Sequence, residues 1–145
     1  MDQQVDILLI EDNIFDAELA MRALTKTNLR SKLVHLKNGE EVCDFIFCKG
    51  IYSERKNSNT PKVIFLDLKM PKIDGIEVLK ILKADERSKK IPVVMLTSSR
   101  ELLDIETCYN LGANSYIVKP LAYDQFSKAI SEVVSYWITL NQAPA

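Results

Sequence analysis

Acidic, hydroxyl and basic residues occur where four apolar stretches of the sequence end. Glu11 and Asp12 follow the first stretch, Asp67 ends the third, Thr97 ends the fourth and Lys119 ends the fifth. Three converging carboxylates repel one another unless a hard cation shares them, and Mg²⁺ prefers oxygen ligands. A lysine and a hydroxyl suit the oxygens of a phosphoryl group. Because a carboxylate can attack phosphorus to form an aspartyl phosphate, the central Asp67 is our candidate acceptor.

Five apolar, β-branched runs alternate with amphipathic segments, which is typical of a parallel sheet covered by helices on both faces. The predicted strands are 5–10, 32–37, 62–67, 91–97 and 115–119, and the predicted helices are 14–27, 39–49, 75–85, 101–112 and 123–140. Short connections require right-handed crossovers, so we predict an α/β fold with a doubly wound sheet. Ligands bind such a sheet at the carboxyl ends of its strands, where the residues above lie.

Length and charge limit the classes of protein to consider. The 145 residues are enough for one domain, predicted over 1–145, and a formal net charge of -1 disfavours nucleic-acid binding. The sequence contains no apolar run long enough for a membrane span, and its N-terminus starts acidic, unlike a signal peptide. We therefore expect a cytoplasmic protein without membrane or nucleic-acid partners.

Each candidate residue also has a purely structural interpretation. Glu11 and Asp12 could cap the helix that begins near Ile14, since carboxylates favour the positive end of a helix dipole. Thr97 could be an ordinary strand end, and Lys119 a solvated charge. Capping does not explain the lysine opposite the acids, so we favour the phosphoryl interpretation.

Other chemistries lack the residues that they need. Cys43, Cys48 and Cys108 lack metal-type spacing, and His35 is the one histidine of the sequence, so we expect reduced thiols and an ordinary half-buried histidine. The sequence has no G-x-G-x-x-G after the first strand and no Walker loop. Dinucleotide and nucleoside triphosphate binding therefore have no visible phosphate cradle.

Four motifs, taken together and in this order, resemble the receiver domain of two-component response regulators. They are "LLIEDN", "VIFLDLKMPKIDGIEVL", "PVVMLTSS" and "GANSYIVKP", and the resemblance extends from Val5 to Trp137. It implies a flavodoxin-like sheet of five strands in the order 2-1-3-4-5, with five helices. It also implies a signalling protein that catalyses only its own phosphorylation and dephosphorylation, rather than an enzyme in the ordinary sense.

The resemblance assigns a role to each matching residue. It implies that Asp67 is the phosphoacceptor, and that Glu11, Asp12, Asp67 and the backbone carbonyl of Lys69 hold Mg²⁺. It implies that Thr97 and Lys119 bind phosphoryl oxygens, that Tyr116 is an aromatic switch coupled to Thr97, and that Lys119-Pro120 is a cis peptide. In the family, the residues at positions 69 and 99, here lysine and serine, influence how fast the acyl phosphate hydrolyses.

The last predicted helix carries an apolar stripe and further apolar residues beside it. Phe126, Ala129, Ile130, Val133, Val134 and Trp137 keep the spacing of a face laid on the sheet, whereas Tyr136, Ile138 and Leu140 fall outside it. The end of this helix is either folded against the core or exposed to a partner. We favour an interface that includes Tyr136, Trp137, Ile138 and Leu140.

The predicted function is that of a single-domain response regulator. A histidine kinase would phosphorylate Asp67, and an unknown downstream protein would read the altered surface. The predicted loop at 49–61 and the second and last helices are similar to a subgroup associated with phytochrome-type kinases, which implies homodimers on the fourth-helix and fifth-strand side. Two alternatives stay open, a phosphorylation-independent adaptor and a Mg²⁺-dependent enzyme acting on a small phosphorylated substrate.

Overall fold

The computed structural model describes residues 4–26, 32–56, 59–70, 73–119 and 122–144, in which strands and helices alternate. The strands are β1 (Ile7–Ile10), β2 (Leu33–Leu36), β3 (Val63–Leu66), β4 (Val93–Thr97) and β5 (Ser115–Val118). The helices are α1 (Ile14–Thr25), α2 (Gly39–Ile46), α3 (Gly75–Ala84), α4 (Leu102–Asn110) and α5 (Tyr123–Ser135). The predicted elements are therefore present, with bounds that differ by a few residues. The largest difference in the first four helices is at α2, which ends three residues before the predicted 49.

The sheet is parallel throughout and has the order β2-β1-β3-β4-β5, so the predicted fold is confirmed. Ile10 lies opposite Leu66 in the register, and Leu66 lies opposite Met95. Because the three strands end close to the same line, the residues that follow them meet at one edge of the sheet. The order of the strands reverses between β1 and β3, which places the ends of both strands at the switch point.

Apolar layers cover both faces of the sheet. Residues of β1, β3 and β4 alternate between a layer under α2, α3 and α4 and a layer under α1 and α5. Every residue of these three strands is buried. This double burial explains why the strands are continuous apolar runs rather than alternating ones.

The C-terminal helix differs from the prediction. The α-helix ends at Ser135, and residues Tyr136–Leu140 form a π-helical turn in which the Asn141 N–H donates to the Tyr136 carbonyl at 2.7 Å. The wider turn needs more residues per revolution, so Ile138 returns to the side of Val134 and packs partly against the core. The prediction that Ile138 lies outside the apolar stripe was wrong, whereas Tyr136 and Leu140 are exposed.

The predicted surface loop at 49–61 contains a short 3₁₀ helix at Gly50–Tyr52. Arg55 attaches this loop to α2, since its guanidinium donates to the carbonyls of Phe45 and Asn59 at 2.6 Å each. The same guanidinium lies 3.7 Å from the centroid of the Phe45 ring, a cation–π contact. The described part of the loop is therefore tied to the body of the domain.

The cysteines and the histidine have structural surroundings. Cys43, Cys48 and Cys108 are free, as expected, and burial raises the pKa of the Cys108 thiol to about 11, which keeps it protonated. His35 is half-buried on β2, and its Nε2 lies 2.8 Å from the carbonyl oxygen of Glu11. The ring thus helps to fix the backbone of a candidate site residue.

Within the described ranges, no helix combines the length and the apolar character that crossing a bilayer requires.

Candidate functional site

Backbone hydrogen bonds continue past the strand ends and fix the candidate residues. The Glu11 N–H donates to the Leu36 carbonyl at 3.1 Å, and the Asp67 N–H donates to the Ile10 carbonyl at 3.1 Å. The Lys119 N–H donates to the Thr97 carbonyl at 2.8 Å. Each of these residues is therefore held by a neighbouring strand, and only its side chain is left to move.

The three predicted carboxylates do come together. Each of Glu11, Asp12 and Asp67 offers a carboxylate oxygen, and these oxygens lie within 4.8 Å of one another. Glu11 is only 3% exposed, whereas Asp12 is on the surface. One buried, one partly buried and one exposed carboxylate form an oxygen-rich cup that is open to solvent on one side. The donor set fits Mg²⁺, which binds few carboxylates and keeps several waters.

The carboxyl group of Asp67 is poised to titrate near neutrality. Burial raises its pKa from 3.8 to about 7, and the negative charge of Glu11 and a hydrogen bond with that residue add to the rise. The ammonium of Lys119 and the Leu68 N–H, which donates to Asp67 Oδ1 at 2.9 Å, act in the opposite direction. A divalent cation would replace the proton in balancing the two carboxylates.

Lys119 lies among the acids as predicted, with a partner that the sequence analysis missed. Its Nζ donates to Glu11 Oε1 at 2.5 Å and to Asp16 Oδ2 at 3.4 Å. Burial of the ammonium favours its neutral form, but the hydrogen bond and charge of Glu11 outweigh burial, so the pKa of Lys119 is raised. Asp16 lies in the first turn of α1, and sequence spacing alone does not show that its side chain reaches Lys119.

Thr97 and Tyr116 meet at the loop between β4 and α4. Thr97 is 2% exposed, and its Oγ1 accepts a hydrogen bond from the Ser99 N–H at 3.2 Å. Tyr116 on β5 is half-buried, and its hydroxyl donates to the Ser99 carbonyl at 3.0 Å. The structure thus places the predicted switch pair on either side of Ser99, a residue that the sequence analysis noted only for its position.

The phosphoryl-binding candidates share one cleft. A cleft of about 360 Å³ is lined by Asp67, Thr97, Lys119, Lys69 and the residues that begin the β4–α4 loop. Lys69 is exposed at its rim, and metal binding by its carbonyl stays a prediction. Pro120 lies outside the described residues, as does the predicted cis peptide that includes it.

Gly75 allows α3 to begin directly against the acceptor. Its N–H donates to the Leu68 carbonyl at 2.7 Å, and a Cβ at this position would lie only 2.0 Å from the Asp67 carbonyl oxygen. Asp74 caps the helix, since its Oδ1 accepts from the Glu77 N–H at 3.0 Å. Any side chain at position 75 would push the backbone of Asp67 away.

The fold and the geometry of this site agree with the family comparison. The model of the response regulator receiver domain matches residues 7–131. The chain belongs to this family. Receiver domains are signalling proteins rather than ordinary enzymes, and this receiver has the acidic cluster in which they bind Mg²⁺.

Individual relatives resemble the receiver over nearly its whole length. The probable methanogenesis regulatory protein FilR2 of Methanothrix harundinacea is 36% identical over 95% of this chain and 86% of its own. The structure of the phosphorylated cyanobacterial phytochrome response regulator RcpA covers 99% of this chain and 100% of its own, with a TM-score of 0.90 and 32% identity. Response regulator Rcp1 of Synechocystis is 34% identical over 96% of this chain and 92% of its own. The structure of the Mn²⁺-bound form of response regulator Rcp1 covers 99% of this chain and 100% of its own, with a TM-score of 0.88 and 33% identity.

Proposed function

We propose that this receiver accepts a phosphoryl group on Asp67 from a histidine kinase, in a Mg²⁺-dependent reaction, and signals through the resulting change of its surface. One observation carries the proposal. The partly buried Asp67 carboxylate lies within 4.8 Å of two further carboxylates and opens into the same cleft as Thr97 and Lys119. A nucleophile, a cation site and two donors for phosphoryl oxygens thus lie together.

Residues of the chain itself prepare the acceptor. The Leu68 N–H fixes one oxygen of Asp67 and with it the plane of the carboxylate. An oxygen of this carboxylate attacks the phosphorus of a phosphohistidine, and the new P–O bond forms as the P–N bond breaks. Bound Mg²⁺ would be held by Glu11, Asp12 and Asp67 and would offset the charge of the carboxylates and of the transferred group.

Lys119 changes partners during this reaction. In the present structure its ammonium bonds to Glu11 and Asp16. Its side chain also lines the cleft of Asp67, so the ammonium can turn from these acids to a phosphoryl oxygen there. A cation held by Glu11, Asp12 and Asp67 would supply the positive charge that the ammonium then withdraws from Glu11. The Thr97 hydroxyl donates to another oxygen, and its displacement reaches Tyr116 through Ser99.

Phosphotransfer profiling tests the proposed function. Candidate histidine kinases, phytochrome-type kinases first because of the likeness to RcpA, are autophosphorylated with labelled ATP and mixed with the receiver. We expect Mg²⁺-dependent label on the receiver that survives brief acid treatment, which cleaves phosphohistidine, and that alkali and hydroxylamine release, as they do from an acyl phosphate. Absence of label with every kinase and with acetyl phosphate would contradict the proposal.

Exposed apolar residues on α1 support a kinase docking surface beside the acceptor. Ile14 is 61% and Phe15 76% exposed, and Leu19 is also exposed one turn later. Asp16 on the same helix contacts Lys119 and lines the cleft of Asp67, so α1 lies beside the reaction site. An apolar patch at this place fits a helical surface of the phosphodonor protein.

Replacing Phe15 by alanine is therefore expected to slow transfer from the kinase by about tenfold, as loss of one interface anchor does. Labelling by acetyl phosphate should stay within about twofold, because the small donor needs no docking surface. Ile51→Ala, at a residue 88% exposed in the loop after α2, is the matched control. Equal losses with both donors would show that Phe15 supports the site rather than the kinase.

Exposed apolar residues on α4 and after α5 support the proposed homodimer. Leu102 and Tyr109 lie seven residues apart on α4 and are exposed, as are Tyr136 and Leu140 after α5. We expect beryllofluoride with Mg²⁺ to double the mass measured by light scattering, and Tyr136→Ser with Leu140→Ser to prevent the change. A monomer under all conditions would contradict this dimer.

A further inference from the structure

Ser99 connects the switch residues to α4. Its hydroxyl donates to Asp104 Oδ2 at 2.6 Å, and Asp104 lies in the first turn of α4. Its backbone N–H donates to Thr97 Oγ1, and its carbonyl accepts from the Tyr116 hydroxyl. Three groups of one residue thus hold three different elements together.

The hydrogen bond between Ser99 and Asp104, which we call the Ser99–Asp104 clasp, is short and charge-assisted. A hydroxyl that donates to an ionised carboxylate forms a short, charge-assisted hydrogen bond, and 2.6 Å is in the range for such a pair. The Glu101 N–H donates to the same Ser99 Oγ at 3.3 Å and occupies one of its lone pairs. Because both residues of the clasp are half-buried, it is partly shielded from competing water.

The serine of the clasp also contacts the hydroxyl of Thr97. The Ser99 N–H occupies one lone pair of Thr97 Oγ1, so the hydroxyl hydrogen points elsewhere. Thr97 lines the cleft that also contains Asp67 and Lys119, and that cleft is where a donor to a phosphoryl oxygen is needed. If Ser99 moved, the hydroxyl would lose this orientation, and Tyr116 would lose the acceptor of its own hydroxyl.

We propose that Asp104 is a positioning residue for phosphorylation, which acts through Ser99 to hold the Thr97 hydroxyl as a donor towards the phosphoryl group. This inference rests on the proposed function, and it adds a residue on α4 to the reaction. Asp104 touches neither Asp67 nor the phosphoryl position; its carboxylate fixes the loop that carries Ser99. Because Tyr116 donates its hydroxyl to the Ser99 carbonyl, a movement of Ser99 would change both the orientation of Thr97 and this hydrogen bond.

Three substitutions separate the clasp from general packing. Asp104→Ala and Ser99→Ala each remove the bond, whereas Asp104→Asn keeps an oxygen acceptor. The readout is the rate constant of labelling by acetyl phosphate at saturating Mg²⁺. We expect both alanine variants to be slower by about fivefold, the usual effect of one lost hydrogen bond, and Asp104→Asn to recover most of the rate.

A double-mutant cycle with Thr97→Ala then tests the route of the effect. If Asp104 acts through Thr97, adding Asp104→Ala to Thr97→Ala changes the rate constant no further. Multiplying losses would overturn the proposal, because they would show a role independent of Thr97. If Asp104→Ala does not fold, Ser99→Ala takes its place in the cycle, since it removes one oxygen from a loop residue.

The outcomes also distinguish this inference from the function on which it rests. If the unmodified receiver is labelled and both alanine variants are labelled with the same rate constant, the proposed role of Asp104 is wrong and the proposed function stands. No labelling of the unmodified receiver by any donor would overturn the proposed function and the clasp with it.

Discussion

Replacing Asp67 by asparagine is expected to abolish phosphoryl labelling and, without divalent cations, to raise the free energy of unfolding. Labelling is lost because an amide oxygen does not form the acyl phosphate, whatever the donor. Stability rises because the substitution removes a charge from the place where burial and Glu11 oppose it. The amide oxygen can still accept the hydrogen bond from the Leu68 N–H, so the local backbone is kept.

The gain in stability should depend on pH in a defined direction. The pKa of Asp67 is raised from 3.8 to about 7, so between these values the folded state keeps a proton that the unfolded chain releases. The unfolding free energy of the unmodified protein therefore falls as the pH rises from about 4 to about 7. Above that window Asp67→Asn should be more stable than the unmodified protein by about 2 kcal/mol. This is half of the energy that the whole pKa shift represents at about 1.4 kcal/mol per pKa unit, because solvent screens a group that is only partly buried.

Urea denaturation in EDTA at pH 4 and pH 8 measures this difference. The two proteins should differ at pH 8 and converge at pH 4. Asp85→Asn is the control, because hydrogen bonds from Arg87 lower the pKa of Asp85 to about 2, so this variant should lose stability by a similar amount at both pH values. A gain for Asp67→Asn that is the same at both pH values would show that the carboxylate charge is not its cause, and label on this variant would refute Asp67 as the acceptor.

The sheet and most of the site could be predicted because buried parallel strands and their ends leave a strong signal. Strands covered on both faces must be apolar throughout, so a polar residue at the end of one is conspicuous. Asp67 after Val63–Leu66 and Thr97 at the end of Val93–Thr97 are examples. The order of the strands came from the family resemblance, since alternation alone leaves the order open.

Contacts that depend on the exact path of the backbone could not be predicted. The clasp joins Ser99, in the loop, to Asp104, in the first turn of α4. The distance between two residues that are five apart depends on the path of the loop between them, so the sequence does not predict this contact. The π-helical turn after Ser135 likewise changes the periodicity on which the placement of Ile138 depended. Gly75 was recognised as a turn residue, but its close approach to Asp67 requires the position of α3 relative to β3.

Replacing Lys119 by methionine is expected to destabilise the protein strongly when divalent cations are absent. Glu11 is buried and has the ammonium of Lys119 at 2.5 Å, with Asp67 and Asp16 on either side. Removing one partner of a buried pair leaves an uncompensated charge, so we expect a loss of about 3 kcal/mol in the unfolding free energy measured in urea with EDTA. Lys62→Met, which removes a more exposed pair with Asp6 at 3.9 Å, should cost less than about 1 kcal/mol.

Mg²⁺ should recover part of the stability of Lys119→Met, because the cation supplies the positive charge that the ammonium supplied. The double variant Glu11→Gln with Lys119→Met should recover stability even in EDTA, since it removes the charge that was left unpaired. A double variant as unstable as Lys119→Met would assign the loss to packing of the lysine chain instead.

In either case Lys119→Met should be labelled poorly at saturating Mg²⁺, because the phosphoryl oxygen then lacks its ammonium. Stability that recovers with Mg²⁺ while labelling does not would separate the two tasks of Lys119, pairing with Glu11 before the reaction and with phosphate during it.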